Sequence, residues 1–288
     1  DQLLHLLRKA ARLWREDRAG VLVTGDTLTA HLQQEGQARP GTPSRELVRQ
    51  AVSQFAQSYD ERWGGFGAAP KFPTPHNLIF LLRYAQLAKE EHAREMALHT
   101  LNNMYRGGLF DHVGGGFSRY STDQHWLVPH FEKMLYDNAL LALAYTEAFQ
   151  HARCPIYGEI TRRTLDYVLR ELSGPQGGFC CGQDADSDGV EGKYYALTPD
   201  ELAQALGGVD GLRFCQWYGI TPEGNFEGKS IPNLLGQSQF DQDSEDMAAL
   251  REQVYAYRLS RTALHRDDKV LTAWNGLAMA ALARAGLV

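Results

Sequence analysis

The chain has few cysteines, no long apolar run and no excess of basic charge, and each shortage excludes something. Four cysteines, Cys154, Cys180, Cys181 and Cys215, stand among 288 residues with no CxxC pair and no zinc-like spacing, so neither a disulfide framework nor a zinc site is expected. Cys180 and Cys181 are adjacent, and a bond between them would be strained; all four are read as reduced, mostly core thiols. No segment approaches the roughly 20 unbroken apolar residues of a membrane span, and no signal-peptide pattern opens the chain. The net charge is −6 at pH 7, which leaves no electrostatic footprint for nucleic acid. Neither GxGxxG after a strand nor a GKS or GKT phosphate loop is present. These exclusions leave a cytoplasmic globular protein with no nucleic-acid, membrane, metal or cofactor partner expected. The first residue is Asp1, not methionine, and the last, Val288, falls inside an apolar helix pattern, so a piece of a longer protein is expected.

What is present is a crowded stretch from Gly107 to Phe149, GGLFDHVGGGFSRYSTDQHWLVPHFEKMLYDNALLALAYTEAF. Its first half gathers glycines, aromatics and three histidines without periodicity, and its second half reads as one apolar helix. Pro129 suits a first helical position. A helix from there places His130, Lys133 and Asp137 on one stripe and Glu132 and Tyr136 on another. The remainder, Ala139 to Phe149, is apolar nearly all round, so the helix is buried and its polar start must open onto a cavity, a partner or the surface. The plain alternative is a set of helix-end groups satisfied by local bonds.

The same pattern recurs. Gly64-Gly65-Phe66, Gly115-Gly116-Phe117 and Gly177-Gly178-Phe179 each end an amphipathic helix, about 50 to 60 residues apart. Apolar helices starting near Thr74-Pro75, Pro129 and Val270 follow, the last with Trp274 and Asn275 in its first turns. Each unit is thus a helical hairpin, one amphipathic outer helix and one buried inner helix. The expected fold is all-α, an (α/α) toroid of hairpins in which the inner-helix starts converge on one mouth. At this repeat length a six-hairpin ring needs about 300 to 360 residues, so a partial (α/α)6 barrel is expected. A small β-hairpin insertion is read in GGFCCGQDADSDGVEGKYYALT, Thr198 and Glu201 form a capping box, and residues 207–244 read as irregular. Residues 1–40 read as a helical tail of a preceding domain or a linker, closed by the turn-rich Gly36–Pro43, and residues 44–288 as the toroid.

Asp184, Asp186, Asp188 and Gly189 begin like a calcium loop, but the twelfth position, which should be Glu, is Tyr195. Paired carboxylates suit glycoside chemistry, and Glu132, Asp137, Asp184 and Asp186 are available for it. Histidines suit proton abstraction beside a carbonyl, as in sugar epimerisation, and His112, His125 and His130 are available. Both chemistries stay open at this level, because side-chain separation is a three-dimensional quantity. Phe66, Phe72, Tyr120, Trp126 and Trp274 would stack on sugar rings or simply pack.

KFPTPHNL, FDHVGGGFSRYSTDQHWLVPHFEKMLYDNALL, GGFCCGQDADSDGVEGKYYALTPDEL and VLTAWNGLAMAALA resemble, in order and spacing, motifs of the large thioredoxin-domain proteins related to the mammalian spermatogenesis-associated thioredoxin-like protein. The resemblance runs from about Tyr59 to the C-terminus. It implies a thioredoxin-like domain followed by an (α/α)6 toroid similar to N-acylglucosamine 2-epimerases and six-hairpin glycosidases. The cysteine-containing thioredoxin motif is absent from these residues, so no redox activity is expected of this chain alone. The expected function is a carbohydrate-active toroid, epimerase-like or glycosidase-like, acting on a small sugar; the alternative is a non-catalytic, client-binding toroid serving an attached thioredoxin-like domain. His130, Glu132 and Asp137 are the expected catalytic residues. Lys71, Arg119, Tyr120, Trp126, Lys133, Asp184, Asp186, Trp274 and Asn275 are the expected substrate-binding set.

Overall fold

The computed structural model describes residues 2–35, 41–242 and 244–288, so most of the linker read at Gly36–Pro43 lies outside the described residues. The chain divides into two compact units, residues 1–49 and 50–288. In the first, α1 (Gln2–Glu16) packs on α2 (Arg18–Glu35), and no residue of α1 is buried.

The second unit is built almost wholly from helices. In chain order, α3 (Arg45–Ser58) contributes Val52 and Phe55, and α4 (Pro75–Ala88) and α5 (Glu91–Arg106) form the first hairpin. β1 (Tyr120–Ser121), β2 (Pro129–His130) and β3 (Lys133–Met134) precede the second hairpin, α6 (Leu135–Ala152) and α7 (Pro155–Glu171). β4 (Gly182–Gln183), β5 (Asp186–Ser187) and β6 (Val190–Glu191) follow, then α8 (Pro199–Leu206), α9 (Gly208–Trp217), α10 (Glu245–Arg261), β7 (Arg266–Asp267) and α11 (Thr272–Ala285). α6 lies between α4 and α11 and against α7, which explains its apolar circumference: Leu135, Ala139, Leu141, Ala142, Tyr145 and Ala148 are all buried. The inner row α4, α6, α11 with α5 and α7 outside it is an arc of an α/α toroid. α11 has the same all-round apolar sequence yet buries only Ala278 and Ala281.

The Gly-Gly-Phe repeats are one structural device used three times. Gly115 donates to the Asp111 carbonyl (2.8 Å), Asp111 donates to the Gly116 carbonyl (2.9 Å), and Phe110 bridges to Phe117. Asp60, Gly64 and Gly65 repeat the two bonds, as do Gly174, Gly177 and Gly178. Both glycines of each turn have positive φ, 77° at Gly115 and Gly116, where a side chain would be strained. In the first two copies a lysine seals the turn. Lys71 Nζ reaches Asp60 and the Gly64 carbonyl, and Lys133 Nζ reaches Asp111 (2.8 Å) and the Gly115 carbonyl (2.8 Å). In the third copy Gly174 replaces the aspartate, and the matching Lys269 is an exposed residue paired with Asp267.

An asparagine in the inner helix then fastens the Phe of the turn. Asn138 accepts from the Phe117 N–H (2.7 Å) and donates to its carbonyl (3.0 Å); Asn275 does the same to Phe179 (2.7 and 2.9 Å). Replacing Asn138 by Ala leaves both Phe117 backbone groups buried and unbonded, a cost of about 2–3 kcal/mol. Asn275→Ala, at a half-buried site that water reaches, is expected to cost about half of that. The urea midpoints of the two variants at unchanged slope check the order; a smaller loss at Asn138 would contradict it.

Two expectations are corrected. The helix read from Pro129 begins at Leu135, because the preceding backbone bonds to neighbouring strands: Tyr120 pairs with His130, Arg119 donates to the Glu132 carbonyl (2.8 Å), and Lys133 pairs with Gln183. Residues 207–244 are not irregular throughout, since α9 occupies part of them. The β5–β6 hairpin and the Thr198–Glu201 capping box form as read.

Candidate functional site

The extended run before α6 makes the site. Alternation along it sends His130 and Glu132 outward and Phe131 and Lys133 inward, so the imagined helical stripe splits into an external pair and an internal lysine. The β1–β2 pairing sets Tyr120 opposite His130, and their rings stack at 5.1 Å and 28°. Phe72, positioned by the bridge between Lys71 and Ser121, stacks on the other side of Tyr120 at 4.8 Å. His130 Nδ1 lies 2.9 Å from Glu191 Oε1, on β6, and Nε2 lies 3.7 Å from Glu132 Oε2. Glu132 Oε2 in turn accepts a bond from Arg119 Nη1 (2.8 Å).

Arg119 continues the cluster to the first turn of α6, where its guanidinium comes close to the Tyr136 hydroxyl and to Asp137. Asp137 is only 9% exposed, and its Oδ2 has no hydrogen-bond partner. Burial pushes its pKa up to about 7, with Glu132 adding to the rise and Tyr136 and Arg119 opposing it. Trp274, from the start of α11, tilts over Tyr136 at 4.7 Å. Residues from β1, β2, β6, α6 and α11 therefore form one connected polar and aromatic patch at the start of the inner helices.

Most of the other expected binding residues lie elsewhere. Trp126 is fully buried and donates from Nε1 to the Trp63 carbonyl (2.8 Å). Lys71 and Lys133 are each 1% exposed inside the sealed turns. The expectation that these three line a mouth gives way to an internal role, because each has its polar atom bonded within the protein. Asn275 clamps Phe179 as described. Asp186 is exposed opposite Glu191, Asp184 is half-buried with its N–H bonded to the His265 carbonyl (3.0 Å), and Asp188 pairs with Lys193 (2.7 Å). Among the described residues no group of three His, Cys, Asp or Glu has the geometry to hold a metal ion. His112 is fully buried among Tyr105, Phe110 and Tyr218 with its pKa lowered to about 3, first by burial and then by Arg163, so it is a neutral core residue.

The polar patch opens to solvent, and a cleft of about 150 Å³ lined by Val190, Gly192, Lys193, Phe226 and Lys229 adjoins it at Glu191. A larger groove, about 470 Å³, runs at the other end of α6 beside Phe149, Leu165, Leu169 and Leu282. Its lining is largely apolar, with Arg162 and Asp166 in it but no histidine.

Beneath the patch lies a buried ionic knot absent from the sequence-level reading. Asp111 accepts from Lys133 Nζ (2.8 Å) and from both terminal nitrogens of Arg258 (2.9 and 2.8 Å). Tyr167 and Tyr195 face the lysine, and Tyr194, Tyr195 and Tyr255 face the arginine. Glu191, also missed, carries no local signal linking it to His130. Lys71 precedes Asn77, Lys133 precedes Asn138 and Lys269 precedes Asn275 by five or six residues, but the exposed Lys269 shares this spacing with the two sealed lysines, so the spacing does not mark which lysine closes a turn.

No protein-family model matches the chain. A cellobiose 2-epimerase from Bacillus thermoamylovorans is similar over 48% of this chain and 41% of its own, with a TM-score of 0.41 and 14% identity. A family 76 glycoside hydrolase from a bovine Bacteroides thetaiotaomicron strain is similar over 76% of this chain and 43% of its own, with a TM-score of 0.38 and 9% identity. No helix among the described residues is long and apolar enough to cross a membrane. Human spermatogenesis-associated protein 20 is 36% identical over 326 aligned positions, which take in 98% of this chain and 42% of that protein's length. Over that span the chain is a homologue of spermatogenesis-associated protein 20.

Proposed function

We propose that this unit is a carbohydrate-active enzyme, epimerase-like or glycosidase-like, that moves protons on a small sugar at the patch around Asp137 and His130. The observation that carries the reading is Asp137: a nearly buried carboxyl with an unbonded oxygen and a pKa of about 7 exchanges a proton readily in either direction at neutral pH. Glu132 and His130 supply the second proton-transfer group that either chemistry requires. Arg119 orients the substrate and balances charge between Glu132 and Asp137. Trp274 offers a ring face of the kind sugars stack against, while Tyr120, stacked between Phe72 and His130, holds the His130 ring. A thioredoxin-like domain elsewhere in the full-length protein belongs to the same proposal. A purely client-binding toroid, the competing reading, gives no reason for a carboxyl held in this state.

The test is a panel of reducing sugars, disaccharides and uronides incubated with the protein in deuterated water and followed by NMR. Epimerase-like action appears as exchange of the proton beside the carbonyl, and glycosidase-like action as cleavage of the glycosidic bond. Asp137→Asn is expected to reduce the observed reaction at least about 100-fold while the circular dichroism spectrum is unchanged. A panel in which no sugar reacts with, or thermally stabilises, the wild-type protein overturns the reading.

A further inference from the structure

We infer that Glu191 is a positioning residue for His130, fixing which ring nitrogen carries the proton. The two carboxylates beside the ring are not equivalent. Glu191 Oε1 is at hydrogen-bond distance from Nδ1, 2.9 Å, whereas Glu132 Oε2 is 3.7 Å from Nε2 and already accepts from Arg119. An ionised carboxylate only accepts, so a neutral ring bonded to Glu191 must hold its hydrogen on Nδ1. Nε2 is then the bare, proton-accepting nitrogen, on the side of Glu132 and Arg119. Stacking on Tyr120 holds the ring plane in place.

The hairpin that delivers Glu191 is fastened for this purpose. Its turn is tight, with Asp188 at φ 53° and Gly189 at φ 74°. Ser187 donates to the Ala263 carbonyl (2.8 Å) and meets the Thr262 hydroxyl, which itself donates to Asp188 Oδ2 (2.9 Å). At the hairpin's base Gly192 has φ 74°, and a Cβ there would stand 2.6 Å from the Phe131 ring and 2.9 Å from Phe226. The bare α-carbon lets the hairpin press against the residue next to His130, which sets the reach of Glu191. The device serves the proposed proton transfer by keeping Nε2 free, and rests on that reading only for its catalytic consequence.

The experiment is nitrogen-15 NMR of the histidine side chains in the full chain, without sugar, at a pH where His130 is neutral, with the His130 signals assigned through His130→Gln. The wild type is expected to show Nδ1 protonated and Nε2 bare. Glu191→Ala is expected to move the majority of His130 to the Nε2-protonated form that free imidazole side chains favour. Glu191→Gln keeps an acceptor oxygen and is expected to retain the wild-type tautomer, and Glu132→Ala is expected to leave it unchanged. A wild-type ring protonated on Nε2, an unaltered tautomer in Glu191→Ala, or a switch caused by Glu132→Ala would overturn the assignment. The spectra report the tautomer whether or not any sugar reacts, so this inference and the proposed activity fail separately.

Discussion

Asp111→Ala is expected to destabilise the protein by about 3–5 kcal/mol, a large share of the roughly 5–15 kcal/mol that holds an ordinary domain folded. The substitution leaves two cations, Lys133 and Arg258, each at most 2% exposed, without the carboxylate both of them bond. It also opens the seal of the second Gly-Gly-Phe turn, since Asp111 side-chain oxygens accept from Val113 and Gly114 backbone N–H groups as well (3.0 Å each). Burial alone would raise the Asp111 pKa, but the charges of Arg258 and Lys133 hold it well below the usual carboxylate range. The sign follows: the contribution of the ionised group is fully present above the unfolded value near pH 4 and is lost as pH falls through the depressed folded value. Urea unfolding at pH 7 and at pH 3 measures both effects. An Asp111→Ala variant within about 1 kcal/mol of wild type would show that the knot is dispensable. Replacing Asp111, Lys133 and Arg258 together by apolar residues is expected to recover much of the loss, because no unpaired charge is then left inside.

Asp137→Asn is expected to have the opposite effect on stability and to abolish the proposed activity. Its carboxyl has a pKa moved from 3.8 to about 7 by folding, so the fold favours the protonated form. Between those values the native state binds a proton that the unfolded chain does not, and stability falls as pH rises through the window. The isosteric, uncharged Asn escapes that penalty. The variant is expected to match wild type below about pH 4, to gain progressively through the window, and to be more stable by up to about 4 kcal/mol above pH 7. Thermal or urea unfolding across pH 3.5 to 8.5 gives the curve. A variant less stable than wild type at pH 8 would mean that the charged carboxylate has a partner that stabilises it. Gain of stability with loss of turnover is the pattern of a site whose strained protonation state serves chemistry.

Much of the fold was readable before any coordinate. The Gly-Gly-Phe turns, the all-round apolar inner helices and the α4 start at Pro75 follow from local rules of backbone freedom and side-chain period. The Thr198 capping box is likewise local, one side chain reaching three residues along its own helix. Of the candidate site, Asp137, Glu132, His130, Arg119, Tyr120 and Trp274 stand out in the sequence as unusual polar or aromatic residues near inner-helix starts. The run from Pro129 to Met134 has a composition that permits a helix, and only β1 and β4 supply the backbone partners that draw it out into strands. Lys71, Trp126 and Lys133 looked like mouth residues because a lysine or tryptophan in a glycine-rich turn carries no local mark of whether its tip faces water or a buried carboxylate.

The sequence by itself determined the repeating unit, the buried inner helices and the small set of residues from which chemistry would come, because each depends on neighbours within a few turns of the same chain segment. Only the tertiary structure decided that Asp111 lies between Lys133 and Arg258, 147 residues apart from the latter, and that Glu191 meets His130 across 61 residues. Ion pairing, burial and the pKa of Asp137 are properties of distances between segments, and those distances come into being only when the hairpins pack.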